Sequence, residues 1–165
     1  MTAFVDQGVV ERTWRRLGAL PARDMVKLQR QAGKLQPELV GFVLGFTSGL
    51  RAEAAGLALY VMIVVLEMFR SSSRKSMRKV DELAVMRLWR ESQQAVKASL
   101  DAPAGSDPLS ALLADSSEPA AFEYVFDAFT DMEQEDPVAL TDEELEQLLA
   151  VLRTFVEGLH HACSP

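Results

Sequence analysis

The 165-residue chain predicts an all-α fold, a single-domain bundle of seven to eight helices around a central buried apolar helix at about residues 50–70. Two observations carry this. Residues from Gly56 to Phe69 read Gly-Leu-Ala-Leu-Tyr-Val-Met-Ile-Val-Val-Leu-Glu-Met-Phe, apolar at almost every position, and Ala54-Ala55 before them extend the run to helical length. A helix that is apolar all round has to be enclosed. Elsewhere, stretch after stretch places apolar residues three and four apart, with proline or capping residues at the joins. A hydrophobic content of 48% is enough for one sizeable core at this length.

The first helix is predicted over Gly8 to Leu17, with Val10, Thr13 or Trp14, and Leu17 on its apolar stripe, Trp14 as core anchor, and Arg12, Arg15 and Arg16 between them. Pro21 suits a first helical position, and Met25, Leu28, Ala32 and Leu35 form the stripe of a second helix from about Ala22 to Leu35. Its other face, Arg23, Lys27, Arg30 and Lys34, reads as a solvated basic edge.

Pro37 and Glu38 start a third helix, because proline loses no needed N–H there and a carboxylate meets the unpaired amides of a helix N-terminus. Gly41, Gly45 and Gly49 follow at four-residue spacing. Each interior glycine costs about 1 kcal/mol against alanine, so the ridge predicts a packing role, the close approach of the central helix. The same spacing is common between membrane-spanning helices. The membrane reading is set aside here, because each uninterrupted apolar run is only about a dozen residues and one long span would carry Arg51 and Glu53 near mid-bilayer.

After the central helix comes the most basic loop, Arg70 to Lys79, with five positive charges, among them Arg74, Lys75 and Arg78, and four serines. The next helix, Val80 to Leu100, brings Lys79, Arg87, Arg90, Gln94 and Lys97 into one sector at about 100° per residue. Val85, Leu88, Trp89, Ser92 and Val96 take the other side. These cations are the candidate anion or nucleic-acid contact, although no helix-turn-helix or ribonucleoprotein pattern accompanies them.

Residues 101–108 form a linker rich in small residues, after which Asp107 and Pro108 start a short helix and Pro119 another. In the latter, Phe122, Val125, Phe126, Phe129 and Met132 point inward, with Glu123, Asp127, Thr130 and Asp131 outward. Thr141-Asp-Glu-Glu144 is a capping box that opens the last helix. Its seam of Leu145, Leu148, Leu149, Leu152, Phe155, Val156 and Leu159 either packs within the chain or pairs with a second copy, with Glu143, Glu146, Gln147 and Glu157 outside.

Charge is segregated along the chain. Residues 1–100 hold 16 of the 17 Lys and Arg and 9 of the 24 Asp and Glu, for +7, whereas residues 101–165 hold 1 and 15, for −14. Either the acidic helical part, 109–165, neutralises the basic part within one domain or across a dimer, or each faces a different partner.

No catalytic signature is found. Glu157 and His160 match half of a di-iron pair and lack the second half. Asp131, Glu133, Glu135 and Asp142 occupy some positions of a calcium loop, but Asp136 stands where glycine makes the turn. Glu53, Tyr60 and Glu67 can share one polar pocket, since the two carboxylates lie about 40° apart in helical projection. Against this, Glu67 has a ready partner in Arg70. Cys163 stands alone near the C-terminus, so no intramolecular disulfide forms and a cytoplasmic setting is expected. The chain reads as a non-catalytic interaction or regulatory protein without a cofactor or evident small-molecule substrate, homodimeric or bound to another protein. A nucleic-acid module using residues 70–97 is the alternative, followed by a bundle that binds a small ligand or metal.

Overall fold

The computed structural model describes residues 3–73, 76–131 and 137–165, and among these it contains eight helices and no strand. They are α1 (Gln7–Gly18), α2 (Ala22–Leu35), α3 (Pro37–Thr47), α4 (Ala52–Ser72), α5 (Glu82–Leu100), α6 (Pro108–Ala114), α7 (Pro119–Thr130) and α8 (Asp142–Cys163). The joins use the chemistry expected of them. Asp6, Asp81 and Asp107 accept from the first-turn amides of α1, α5 and α6, and Thr141 with Glu144 closes the capping box of α8 in both directions.

Two helices, not one, form the centre. α4 packs against α1, α2, α3, α7 and α8, and every residue from Val61 to Phe69 is buried. By length and composition alone α4 could cross a membrane, and in this fold its run from Val61 to Phe69 is covered by neighbouring helices. α8 packs against α3, α4, α5 and α7, and its run from Leu148 to His160 is buried at each position. The predicted seam therefore packs within the chain: Leu152, Phe155 and Leu159 are fully buried and unavailable to a second copy, while Leu145 is half-buried. Complete burial of a leucine or phenylalanine contributes about 1.5–3 kcal/mol, so these two helices dominate the core.

Two packing expectations are corrected. Gly41, Gly45 and Gly49 face solvent, and a Cβ added to any of them meets nothing within 4 Å. α3 turns Leu39, Val40, Val43 and Thr47 inward, which places the glycine row on the opposite side. The close helix approach occurs at Gly158 in α8, where a Cβ would lie 2.7 and 2.8 Å from the two methyl carbons of buried Leu39. Trp14 is not a core anchor either. The buried stripe of α1 is Val10, Thr13 and Leu17, and Trp14, one residue further round, is 43% exposed.

The backbone around Arg78 is fastened at two places. Fully buried Gln36, at the α2–α3 corner, donates from Nε2 to the Arg78 carbonyl at 2.7 Å and accepts from the Val80 amide at 3.0 Å. The Arg78 amide donates to the Ala162 carbonyl at 3.0 Å. Together these lay the residues just before α5 over the end of α8.

Glycine substitutions separate the two kinds of site. Gly158→Ala is expected to lower stability by about 1–2 kcal/mol in urea unfolding, since overpacking against Leu39 outweighs the gain in helix propensity. Gly41→Ala and Gly45→Ala, with open space around them, are each expected to raise it by up to about 1 kcal/mol.

Candidate functional site

A chain of buried, hydrogen-bonded polar side chains lies along one face of α8. Arg153, Glu157 and His160, at spacings of four and three, form one stripe, and all three are buried. They engage consecutive residues of the α6–α7 connection. Arg153 donates from Nη2 to the Asp115 carboxylate at 3.0 Å and from Nη1 to Ser92 Oγ on α5 at 3.0 Å. Glu157 accepts from the Ser117 amide at 2.9 Å and from Ser116 Oγ at 3.3 Å. His160 Nδ1 lies 2.9 Å from Glu118 Oε1.

Glu118 is fully buried, and its carboxylate also accepts from the Phe4 amide at 2.7 Å and the Val5 amide at 3.1 Å. It therefore joins α7, α8 and the segment before α1. A buried carboxylate is tolerated only when donors surround it, and two amides and an imidazole do so here.

A buried carboxylate holding a histidine invites comparison with the orienting pair of a nucleophilic triad. The third member does not join. His160 Nε2 has no hydrogen-bond partner, and Phe4 packs beside its ring at a centroid distance of 5.3 Å. Cys163 has its thiol pushed up, chiefly by burial, which is the opposite of an activated nucleophile. The cluster fastens α8 to the α6–α7 connection and to the segment before α1.

The candidate anion contacts divide. Arg78 donates to the carbonyls of His161 at 3.1 Å and Ser164 at 2.8 Å, so its charge caps the C-terminus of α8. Arg74 and Lys75 lie outside the described residues. Lys79, Arg87, Arg90 and Lys97 are exposed. Arg87 is 4.0 Å from Glu91, and among the described residues no carboxylate pairs with Lys79, Arg90 or Lys97. Beside these cations on α5 lie two apolar side chains missed in the sequence, Leu83, 82% exposed, and Met86, 45% exposed. The opposite side of α5 is fixed by Trp89, which packs against Phe42 and Phe46 of α3 at 5.3 and 4.7 Å. The outward face thus lies opposite a packed aromatic cluster.

The three-residue polar pocket does not form. Glu53 is exposed, 3.9 Å from Arg51, while buried Glu67 is held by Arg70 at 2.7 Å and Arg16 at 3.5 Å. Tyr60 lines a different cleft, between α1, α4 and α7. Of the calcium-loop candidates, Glu133 and Glu135 lie outside the described residues. Asp131 lines the cleft with Tyr60, and Asp142 is exposed in the first turn of α8. Among the described residues no three histidine, cysteine or acidic side chains come together as metal ligands. One ion pair among them joins the basic part to the acidic part, Arg51 to Glu144 at 2.9 Å. That pairing, with the Thr141 amide, holds the Glu144 carboxyl below its ordinary range.

No protein-family model matches this chain, and no characterised protein or solved structure matches it either.

The Glu118 contacts are tested by Glu118→Gln. Leaving His160 and two buried amides imperfectly paired is expected to cost about 3 kcal/mol, seen as a fall in Tm of about 6–12 °C in calorimetry. Exposed Glu146→Gln is expected to stay within about 0.5 kcal/mol of the parent.

Proposed function

We propose that the chain is a non-catalytic interaction protein that self-associates, the outward face of α5 on one copy meeting an acidic surface of another. The observation that supports this most is Leu83 and Met86 standing in solvent on the same side of α5 as exposed Arg90, with which no carboxylate pairs among the described residues. An apolar pair ringed by charge is the usual form of a small docking surface, with burial supplying affinity and the charges supplying orientation.

Self-association is favoured over a foreign partner by the charge division. The chain carries both the +7 part and the −14 part, and a single ion pair satisfies them internally among the described residues. Asp142, Glu143 and Glu146 are exposed in the first turns of α8 and complement the α5 face in sign. Two copies related by a two-fold axis then exchange equivalent contacts and close the assembly. The cytoplasmic setting expected from the lone cysteine belongs to the same proposal.

Light scattering after gel filtration decides it. At about 50 mM salt and ~100 µM protein the expected mass is twice 18.2 kDa, falling toward one chain as salt rises. Leu83→Asp with Met86→Asp is expected to give a folded monomer. A parent protein that stays monomeric under these conditions overturns the reading.

The exposed Lys79, Arg90 and Lys97 support a second reading, contact with a nucleic-acid backbone. It predicts affinity for random duplex DNA at about 50 mM salt that weakens steeply as salt rises. No affinity there removes it.

A further inference from the structure

We propose that the cleft between α1 and the last turn of α4 binds a phosphoryl group, as free phosphate or as a small phosphate monoester. The cleft has a volume of about 300 Å³ and is lined by Val9, Arg12, Thr13 and Arg16 of α1 and by Ser71 of α4. The four α1 residues recur at three- and four-residue spacing and so form one stripe along the wall. The cleft shares no residue with the α5 face and does not depend on self-association.

Thr13 carries the argument. It is 3% exposed, and its hydroxyl makes no hydrogen bond among the described residues. The three other threonines within helices each donate back to a carbonyl of their own helix: Thr47 to Leu44, Thr130 to Phe126 and Thr154 to Ala150. That bond is the ordinary refuge of a buried threonine hydroxyl, because an unpaired buried donor loses more than a made bond gains. Thr13 forgoes it and lines a cleft, so its partner comes from outside the chain.

Water can meet a hydroxyl alone; the flanking charges call for more. Among the described residues no carboxylate pairs with Arg12. The acids nearest to it in sequence are engaged elsewhere, since Asp6 caps α1 through the Val9 amide at 2.8 Å and Glu11 pairs with Arg15 at 3.2 Å. Arg16 lies 3.5 Å from Glu67, but Arg70 already holds that buried carboxylate at 2.7 Å. Positive charge therefore exceeds negative charge around the cleft, with a hydroxyl donor between the two guanidinium-bearing positions of α1.

The alternatives fit less well. A cation is repelled by Arg12 and Arg16, and Ser71 occupies the carbonyls of Glu67 and Met68, at 2.9 and 3.1 Å, that would otherwise hold one. An apolar ligand leaves the guanidinium and hydroxyl donors unmet. A planar carboxylate has two oxygens, whereas a tetrahedral oxyanion presents oxygens to both arginines and to Thr13 at once.

The test is a titration of the whole, uniformly ¹⁵N-labelled chain with inorganic phosphate near neutral pH, with chloride holding the ionic strength constant. Saturable shifts confined to residues 9–16 and 70–72 are expected, with affinity about tenfold weaker in Arg12→Gln and about threefold weaker in Thr13→Val. Thr13→Val keeps the shape and removes only the unmet hydroxyl, so its melting temperature by circular dichroism is expected at or above the parent's. Methyl phosphate is run in parallel, and the tighter of the two names the source as free ion or ester. The proposal is overturned by no saturation at ~50 mM phosphate, by equal binding of acetate, by parental affinity in either folded variant, or by shifts centred on Arg87, Arg90 and Lys97 of α5. A Thr13→Val chain that melts below the parent also overturns it, since the hydroxyl is then bonded within the chain.

Discussion

The fold depends on satisfying the polar groups that α8 carries into the core. A helix with Arg153, Glu157 and His160 on one buried face is untenable alone, because each group forfeits its hydration. The α6–α7 connection meets most of this by offering Asp115, Ser116, Ser117 and Glu118 in sequence, which leaves Arg153 Nε and His160 Nε2 as the buried nitrogens without a partner among the described residues. The cost of a mismatch is steep, since an unpaired buried group loses more than a made bond gains. One arrangement of α6, α7 and α8 is thereby selected over the many that bury the same leucines. Glu118 extends the selection to the segment before α1 by accepting its two amides.

Around this polar stripe, burial does the rest. α4 and α8 lie side by side and the other helices share their surfaces, so neither central helix has a side left for solvent over its middle turns. The apolar seam of α8 is consumed within the chain. What remains outside is therefore the material for recognition: the cations and two large apolar groups of α5, and the arginines and threonine hydroxyl of the α1–α4 cleft. The segregation of charge along the sequence survives folding, with Arg51 and Glu144 as its one bridge among the described residues.

Local chemistry was legible in the sequence and long-range chemistry was not. The capping box at Thr141, the Asp107-Pro108 start, Pro37 at a first turn and the exposed basic edge of α2 each depend on residues within one turn, and each stands where the pattern places it. The glycine row at 41, 45 and 49 was misread because its spacing places the glycines on one face without saying which face turns inward; the flanking Leu39, Val40 and Val43 decide that. Trp14 was misread for a related reason, its size outweighing the better register of Thr13. Glu157 was assigned to the outside by its charge, yet Ser117 gives it a reason to be buried. Glu118 was hard to find, because its partners are more than 110 residues away at one end and 42 at the other. The one available hint was a carboxylate beside Pro119, turned inward at a helix start. In the candidate site, the basic stripe of α5 followed from periodicity, whereas Leu83 and Met86 in solvent depended on which neighbours pack behind that helix.

The central claim is that α7 and α8 form one cooperative unit held by the polar stripe. Native-state amide hydrogen exchange measures it directly. The account predicts that amides of residues 122–130 and 148–160 exchange only through global unfolding, with the same opening free energy and the same denaturant dependence. If α7 instead opens at a markedly lower free energy while α8 stays protected, the stripe does not bind the two together and the account fails.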